Sequence, residues 1–95
     1  MLALLVPGPS YGYQLAQALE RAGLGPIQGG TLYPVLLRLQ RAGLVTWQWQ
    51  GGESGPARKY YTLTAEGRAV LRNQGTTWLA FADRVRQVLR EGGVE

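Results

Sequence analysis

The sequence predicts an α+β domain, mostly α, in which three short helices lead into a two-stranded β-hairpin and one long C-terminal helix. Three observations carry that expectation. Apolar residues recur at intervals of three and four as far as Gly43, the pattern changes to strict alternation across VTWQWQ and ARKYYTL, and the helical period returns after Thr64.

Taken in order, Met1 to Val6 reads as the tail of a short buried helix stopped before Pro7. PGPS is turn chemistry that offers Ser10 as N-cap of the next helix. From Tyr11 to Ala22, the residues Tyr11, Leu15, Ala18, Leu19 and Ala22 share one buried face, and Gly23 supplies the left-handed stop. LGPIQGG joins this helix to a third, whose buried stripe is Leu32, Val35, Leu36 and Leu39 and whose end is Gly43. Val45, Trp47 and Trp49 then alternate with Thr46, Gln48 and Gln50, the signature of a half-buried strand. GGESGP is a turn, and the return strand places Tyr61 and Leu63 on one face and Arg58, Tyr60 and Thr62 on the other. Thr64 suits the N-cap of the last helix, with Glu66 in its first turn where a negative charge favours the helix dipole. That helix runs to about Glu91, before Gly92 and Gly93.

Composition narrows the function classes. A chain of 95 residues is one domain, and a domain this small buries only about 60 to 65% of its unfolded surface, so a partner subunit would help stabilise it. Cysteine and histidine are both absent, and the six carboxylates, Glu20, Glu53, Glu66, Asp83, Glu91 and Glu95, are scattered. The usual nucleophile–base pairs and thiolate metal sites therefore cannot be assembled, which argues against an enzyme and implies no cofactor and no metal. MLALLV has no basic flank and meets Pro7 after five apolar residues, so it reads as neither signal peptide nor membrane span, and the chain reads as cytoplasmic. Net charge is +4, and nine of the ten basic residues are arginine, a balance suited to an anionic partner such as double-stranded DNA.

The third helix sharpens that expectation. At 100° per residue its apolar stripe faces one way while Pro34, Leu37, Arg38 and Arg41 face the other, with Tyr33 on the flank. The reading puts Pro34 in the first turn, where N–H groups have no intrahelical acceptor. Arg38 and Arg41 on one side can reach phosphates or guanine edges, and Tyr33 and Thr31 near the N-terminus can hydrogen-bond backbone or bases. An ordinary solvated helix face would carry the same charges. After the turn, Arg58 and Lys59 read as a flexible basic loop at the hairpin tip, able to grip backbone beside a groove as the wing of a winged helix does. The same two residues could instead blunt an exposed strand edge.

SYGYQLAQAL, GGTLYPVLLRLQRAGLV and RKYYTLTAEGR closely resemble, in order and separation, the three signature blocks of the PadR-like transcriptional regulators, over about Met1 to Arg72. The resemblance implies a winged helix-turn-helix that represses transcription as a homodimer, with the third helix in the major groove and the wing at adjacent backbone or minor groove. By position, Tyr33 and Arg38 match the groove-facing helix residues, and Arg58 and Lys59 match the basic wing. The full expected DNA-binding set is Gln28, Thr31, Tyr33, Pro34, Leu37, Arg38, Arg41, Arg58 and Lys59. Family members usually carry several residues before the position of Met1, so the start here is either truncated or an unusually short first helix. On this reading 1–64 is the DNA-binding winged helix-turn-helix and 65–95 the dimerisation helix.

In that helix Leu71, Gly75, Trp78, Ala82, Val85 and Leu89 follow alternating spacings of four and three, with Phe81 and Val88 widening the stripe. Leu71, Trp78, Phe81, Ala82, Val85, Val88 and Leu89 are the expected dimer contacts, and a two-fold dimer would read a palindromic operator with half-sites about 34 to 36 Å apart. The alternative is an amphipathic helix folded back on its own core. The resemblance also implies response to a small aromatic or hydrophobic effector, for which Trp78 and Phe81 could line a pocket, although aromatics in so small a domain more often belong to its core. A rival function is a winged helix that serves as a protein-interaction module.

Overall fold

The computed structural model describes residues 1–52 and 55–95, so part of the expected GGESGP turn, Glu53 and Ser54, lies outside the described residues. A 3-10 turn at Leu2–Leu5 precedes α1 (Gly12–Arg21), α2 (Gly29–Arg41), β1 (Val45–Gln50), β2 (Arg58–Leu63) and α3 (Ala65–Glu91). The expected third helix is thus α2 and the expected first helix only a 3-10 turn. It is held by single-turn bonds, Leu4 N–H to Met1 O at 3.1 Å and Val6 N–H to Ala3 O at 3.3 Å, and only Leu5 of it is buried.

Ser10 is not the cap of α1. Its backbone is taken up by an antiparallel bridge to Tyr61, with Ser10 N–H to Tyr61 O at 3.1 Å and Tyr61 N–H to Ser10 O at 2.8 Å, so the helix starts later and Tyr11 takes the N-cap position. Gln14 at the third helical position reaches back, its Oε1 accepting from Tyr11 N–H at 3.4 Å and from Ser10 Oγ at 3.2 Å. Leu15 is buried beneath this start, Tyr11, Ala18 and Leu19 are half-buried, and Ala22, expected on the same face, is exposed at the C-cap.

Pro34 also sits deeper than expected. Because α2 begins at Gly29, Pro34 is its sixth residue, past the first turn, and no N–H from position 34 reaches the Gly30 carbonyl. Gly30 is exposed, so solvent can satisfy that carbonyl. Both short helices end alike: Gly23 at φ +81 and Gly43 at φ +77 turn the chain back. The next N–H then bonds five residues back, Leu24 to Leu19 O and Leu44 to Leu39 O, each at 2.9 Å.

The core is small: Leu5, Leu15, Leu32, Leu36, Val45, Tyr61 and Leu63. Leu36 is wholly buried at its centre, and Leu39, Trp47 and Leu71 pack around it. The hairpin pairs Val45 with Leu63, Trp47 with Tyr61 and Trp49 with Lys59 on one face. Burial fades along β1 from Val45 through half-buried Trp47 to Trp49, which is 60% exposed, because the hairpin outruns the core. The alternation therefore marks a face correctly but not how far that face is covered.

At the base of the hairpin α3 is launched by Thr64, whose Oγ1 accepts from Gly67 N–H at 3.0 Å and donates to the Gly43 carbonyl at 2.7 Å. Gly67 is buried against the α2–β1 turn so closely that a Cβ there would collide with the Leu44 carbonyl. Beyond Gly75 α3 leaves the domain, and from Thr76 onward Ala82 alone is even half-buried. The helix does not fold back on its own core. At 27 residues it measures about 40 Å, and it accounts for a molecule of 59 × 27 × 22 Å.

Gly67→Ala should destabilise the fold by about 1 to 3 kcal/mol through that collision, reversing the ~0.5 to 1 kcal/mol that alanine normally gains over glycine inside a helix. Urea denaturation measures it, and unchanged or increased stability would show that the α2–β1 turn yields freely.

Candidate nucleic-acid interface

The outer face of α2 follows from its inner one. With Leu32 and Leu36 committed to the core, the helical period turns Tyr33, Pro34, Leu37, Arg38 and Arg41 to solvent, and all five are exposed, as are Gln28 at the N-cap and Thr31 in the first turn. Among the described residues the one ion pair is Asp83–Arg86 on α3 at 2.8 Å. No described carboxylate therefore neutralises Arg38, Arg41, Arg58 or Lys59, so that among the described residues the positive charge of the helix and hairpin is uncompensated.

The hairpin cations are held differently from the flexible loop expected. Arg58 and Lys59 lie within β2, paired with Gln50 and Trp49, because the ladder continues that far toward the tip. Being adjacent in a strand, they point to opposite faces. The Arg58 guanidinium stacks 4.5 Å from the centroid of the Tyr11 ring, which itself meets Tyr60 edge-on at 5.2 Å. The Lys59 ammonium lies 4.2 Å from the Trp47 ring and 5.6 Å from Trp49, two indoles in edge-to-face contact at 5.5 Å. Each cation rests on an aromatic ring and needs no carboxylate to orient it.

Between the start of α1, the Tyr33 side of α2 and the hairpin lies an open cleft of about 460 Å³, lined by Tyr11, Tyr13, Tyr33, Trp49 and Tyr61 with Arg58 and Lys59. Tyr33 is 53% exposed, yet its ring leans on α1: a Cβ at Gly12 would come within 2.5 Å of its hydroxyl oxygen. Burial pushes the Tyr61 hydroxyl above its ordinary pKa, and the neighbouring Tyr33 phenol pushes it further in the same direction. Sequence reasoning found the α2 face and the hairpin cations but not Tyr11, Gly12 or Trp49. The available signal for Tyr11 and Gly12 is the tyrosine-rich SYGY run, whose Tyr11 the helical period assigns to the buried face of the helix.

A second surface lies on α3. Leu71 packs inward against the core, whereas Trp78 at 65% and Phe81 at 62% exposure are not core residues at all, contrary to the core role expected for them. With Leu79, Val85, Val88 and Leu89 they leave a long apolar surface uncovered within the chain. Trp78, Phe81, Ala82, Val85 and Leu89 line a shallow depression of about 510 Å³, and Trp78 and Phe81 border a second of about 400 Å³ with Asn73, Gln74 and Thr77.

A helix with a basic outer face, packed against α1 and β1 and flanked by a hairpin that carries cations, defines a winged helix-turn-helix. The chain belongs to the PadR-like family: the family model described as "Transcriptional regulator PadR-like family" matches residues 1–73. Transcriptional regulators of this kind are not enzymes. A PadR family transcriptional regulator from Eggerthella lenta is 39% identical, with a TM-score of 0.80 over 93% of this chain and 79% of that one. A PadR-like transcriptional regulator from Bacillus cereus is 31% identical, with a TM-score of 0.83 over 93% of this chain and 85% of that one. Bacillus subtilis PadR, solved in complex with operator DNA, is 25% identical, with a TM-score of 0.69 over 77% of this chain and 42% of that one. No helix among the described residues is long and apolar enough to cross a membrane.

Proposed function

We propose that this protein is a sequence-specific DNA-binding repressor that acts in the cytoplasm as a homodimer on a palindromic operator. The observation that carries the reading is the positive surface shared by α2 and the hairpin, whose cations are in no ion pair among the described residues, on a fold similar to that of Bacillus subtilis PadR, which was solved with operator DNA. In this reading Gln28, Thr31, Tyr33, Pro34, Leu37, Arg38 and Arg41 enter or border the major groove, and Arg58 and Lys59 hold adjacent backbone. Arg38 is the base reader, since an arginine fork matches the two acceptors of guanine, and Lys59 is a phosphate contact. Residues 1–64 bind DNA and 65–95 join the subunits.

The exposed apolar side of α3 is the reason for proposing a dimer. A second copy laid against Trp78, Phe81, Ala82, Val85, Val88 and Leu89 would remove from water a contiguous surface of the kind monomeric soluble proteins rarely leave open. Leu71, expected among these contacts, is occupied within its own subunit. The Trp78–Phe81 depression, closed by the partner subunit, would then be the place for a small aromatic or hydrophobic effector that releases the operator.

The deciding experiment is a titration of the protein against its own upstream DNA and a scrambled duplex at two salt concentrations. Tight, salt-weakened binding to the upstream duplex alone is the expected result, and equally weak, salt-insensitive binding to both would favour a protein-interaction module instead. Arg38→Ala should lose about 1 to 3 kcal/mol more on the operator than on scrambled DNA; equal losses in a fluorescence-anisotropy titration would make Arg38 a phosphate contact. Lys59→Ala should weaken both duplexes alike and lower the slope of log affinity against log salt by about one, and an unchanged slope would take Lys59 off the DNA surface. For the dimer, light scattering should give twice the 10.4 kDa chain mass. Val85→Glu should weaken self-association by roughly tenfold or more, with circular dichroism unchanged; a retained dimer would place the interface elsewhere.

A further inference from the structure

We infer that the tripeptide Ser10–Tyr11–Gly12 is a positioning joint that sets the hairpin against α2, so that the two basic elements meet DNA at a fixed separation. This rests on the DNA-binding reading and assigns a role to residues outside the proposed DNA contacts. Three consecutive residues each hold a different part. Ser10 pairs through both backbone groups with Tyr61, acting as a one-residue third strand on the free edge of β2. Tyr11 lies under the Arg58 guanidinium and edge-on to Tyr60. Gly12 accepts the phenol end of Tyr33 across a gap too narrow for any side chain: a built Cβ would lie 2.5 Å from the hydroxyl oxygen and 2.8 Å from Cζ.

The chemistry at each position fits that role. A cation on an aromatic face keeps its charge and its outward donors while losing rotamer freedom before the ligand arrives, and lowering that ordering cost raises affinity. Gly12 has no left-handed backbone angle to explain it, and alanine is the better helix former at the start of α1. The remaining reason for glycine is the space that Tyr33 occupies. Tyr33 is in turn the α2 residue nearest the hairpin cleft, where it shares the lining with Tyr11, Arg58 and Tyr61. Besides the direct packing of α2 on β1 at the base of the hairpin, these three residues give the far part of the hairpin a second link to α2, and both side-chain contacts lie on the proposed DNA face.

The test uses the full-length protein with Gly12→Ala, Tyr11→Leu and Tyr11→Phe. Gly12→Ala should leave the melting temperature unchanged or raised, since only a flexible ring end must move, while operator affinity falls about two- to fivefold. In a Tyr33→Ala background the same change should have no further effect. Tyr11→Leu should weaken operator binding by a similar factor, Tyr11→Phe should not, and the loss should vanish in an Arg58→Ala background. A proton NMR spectrum of the DNA-free protein reads the seat directly: the Arg58 δ-protons should be shifted upfield in wild type and Tyr11→Phe and return to ordinary positions in Tyr11→Leu. Wild-type affinity in Gly12→Ala, or losses that persist in the Tyr33→Ala and Arg58→Ala backgrounds, would overturn the joint, as would an ordinary Arg58 shift in wild type. Should wild type fail to distinguish the operator from scrambled DNA while the upfield shift is present, the DNA-binding reading falls and takes the joint's role with it, leaving the packing intact.

Discussion

One oxygen atom organises the base of this fold. Thr64 Oγ1 caps α3 and at the same moment bonds the carbonyl of Gly43, the residue that ends α2. Thr64 N–H adds a bond to the Leu44 carbonyl at 3.1 Å, and Gly67 closes over the same carbonyl with no room for a side chain. The end of α2, both ends of the hairpin at Val45 and Leu63, and the start of α3 therefore meet within a few residues. A core of seven buried side chains is too small to align four elements by apolar packing alone. The directional bonds at this junction supply the alignment, and they act where the backbone would otherwise leave helix-end groups unpaired.

Much of this was legible in the sequence where a local rule and the global fold agree. Thr64, Glu66 and the glycine pair at 92 and 93 marked α3 almost to the residue, and the switch from a period of three and four to a period of two marked the hairpin. The errors share a cause. Ser10 has ideal N-cap chemistry, but its backbone was claimed by a strand distant in sequence. Trp49 alternates in step with Val45, but nothing in a strand's pattern says where the core beneath it ends. Pro34 was placed in a first turn because the two glycines before it read as linker rather than as helix. The paired run Arg-Ala-Gly-Leu, at 21–24 and again at 41–44, was a stronger stop signal than either glycine alone, since both copies form the same closing turn.

The candidate interface was half legible for the same reason. Charges on an exposed helix face are visible in a linear sequence because the helix is local. The rings that seat Arg58 and Lys59 are not, because Tyr11 comes from the opposite end of the domain and Trp47 and Trp49 from across the hairpin. The two surfaces also divide the chain's chemistry. The hairpin cations Arg58 and Lys59 rest on aromatic rings, while Trp78, Leu79, Phe81, Val85, Val88 and Leu89 stand exposed along the outer half of α3.

That outer half is joined to the rest of the molecule only through its first turns. A rod about 40 Å long, clamped at Gly67 and unsupported beyond Gly75, is a lever with its fulcrum at the α2–β1 turn. A pivot of about 5° at the fulcrum sweeps the far tip through roughly 3 Å. The converse also holds: if the far halves of two such rods are fixed against each other, a small change in their crossing angle swings the two heads by a similar distance, comparable to the rise of one base pair along a duplex.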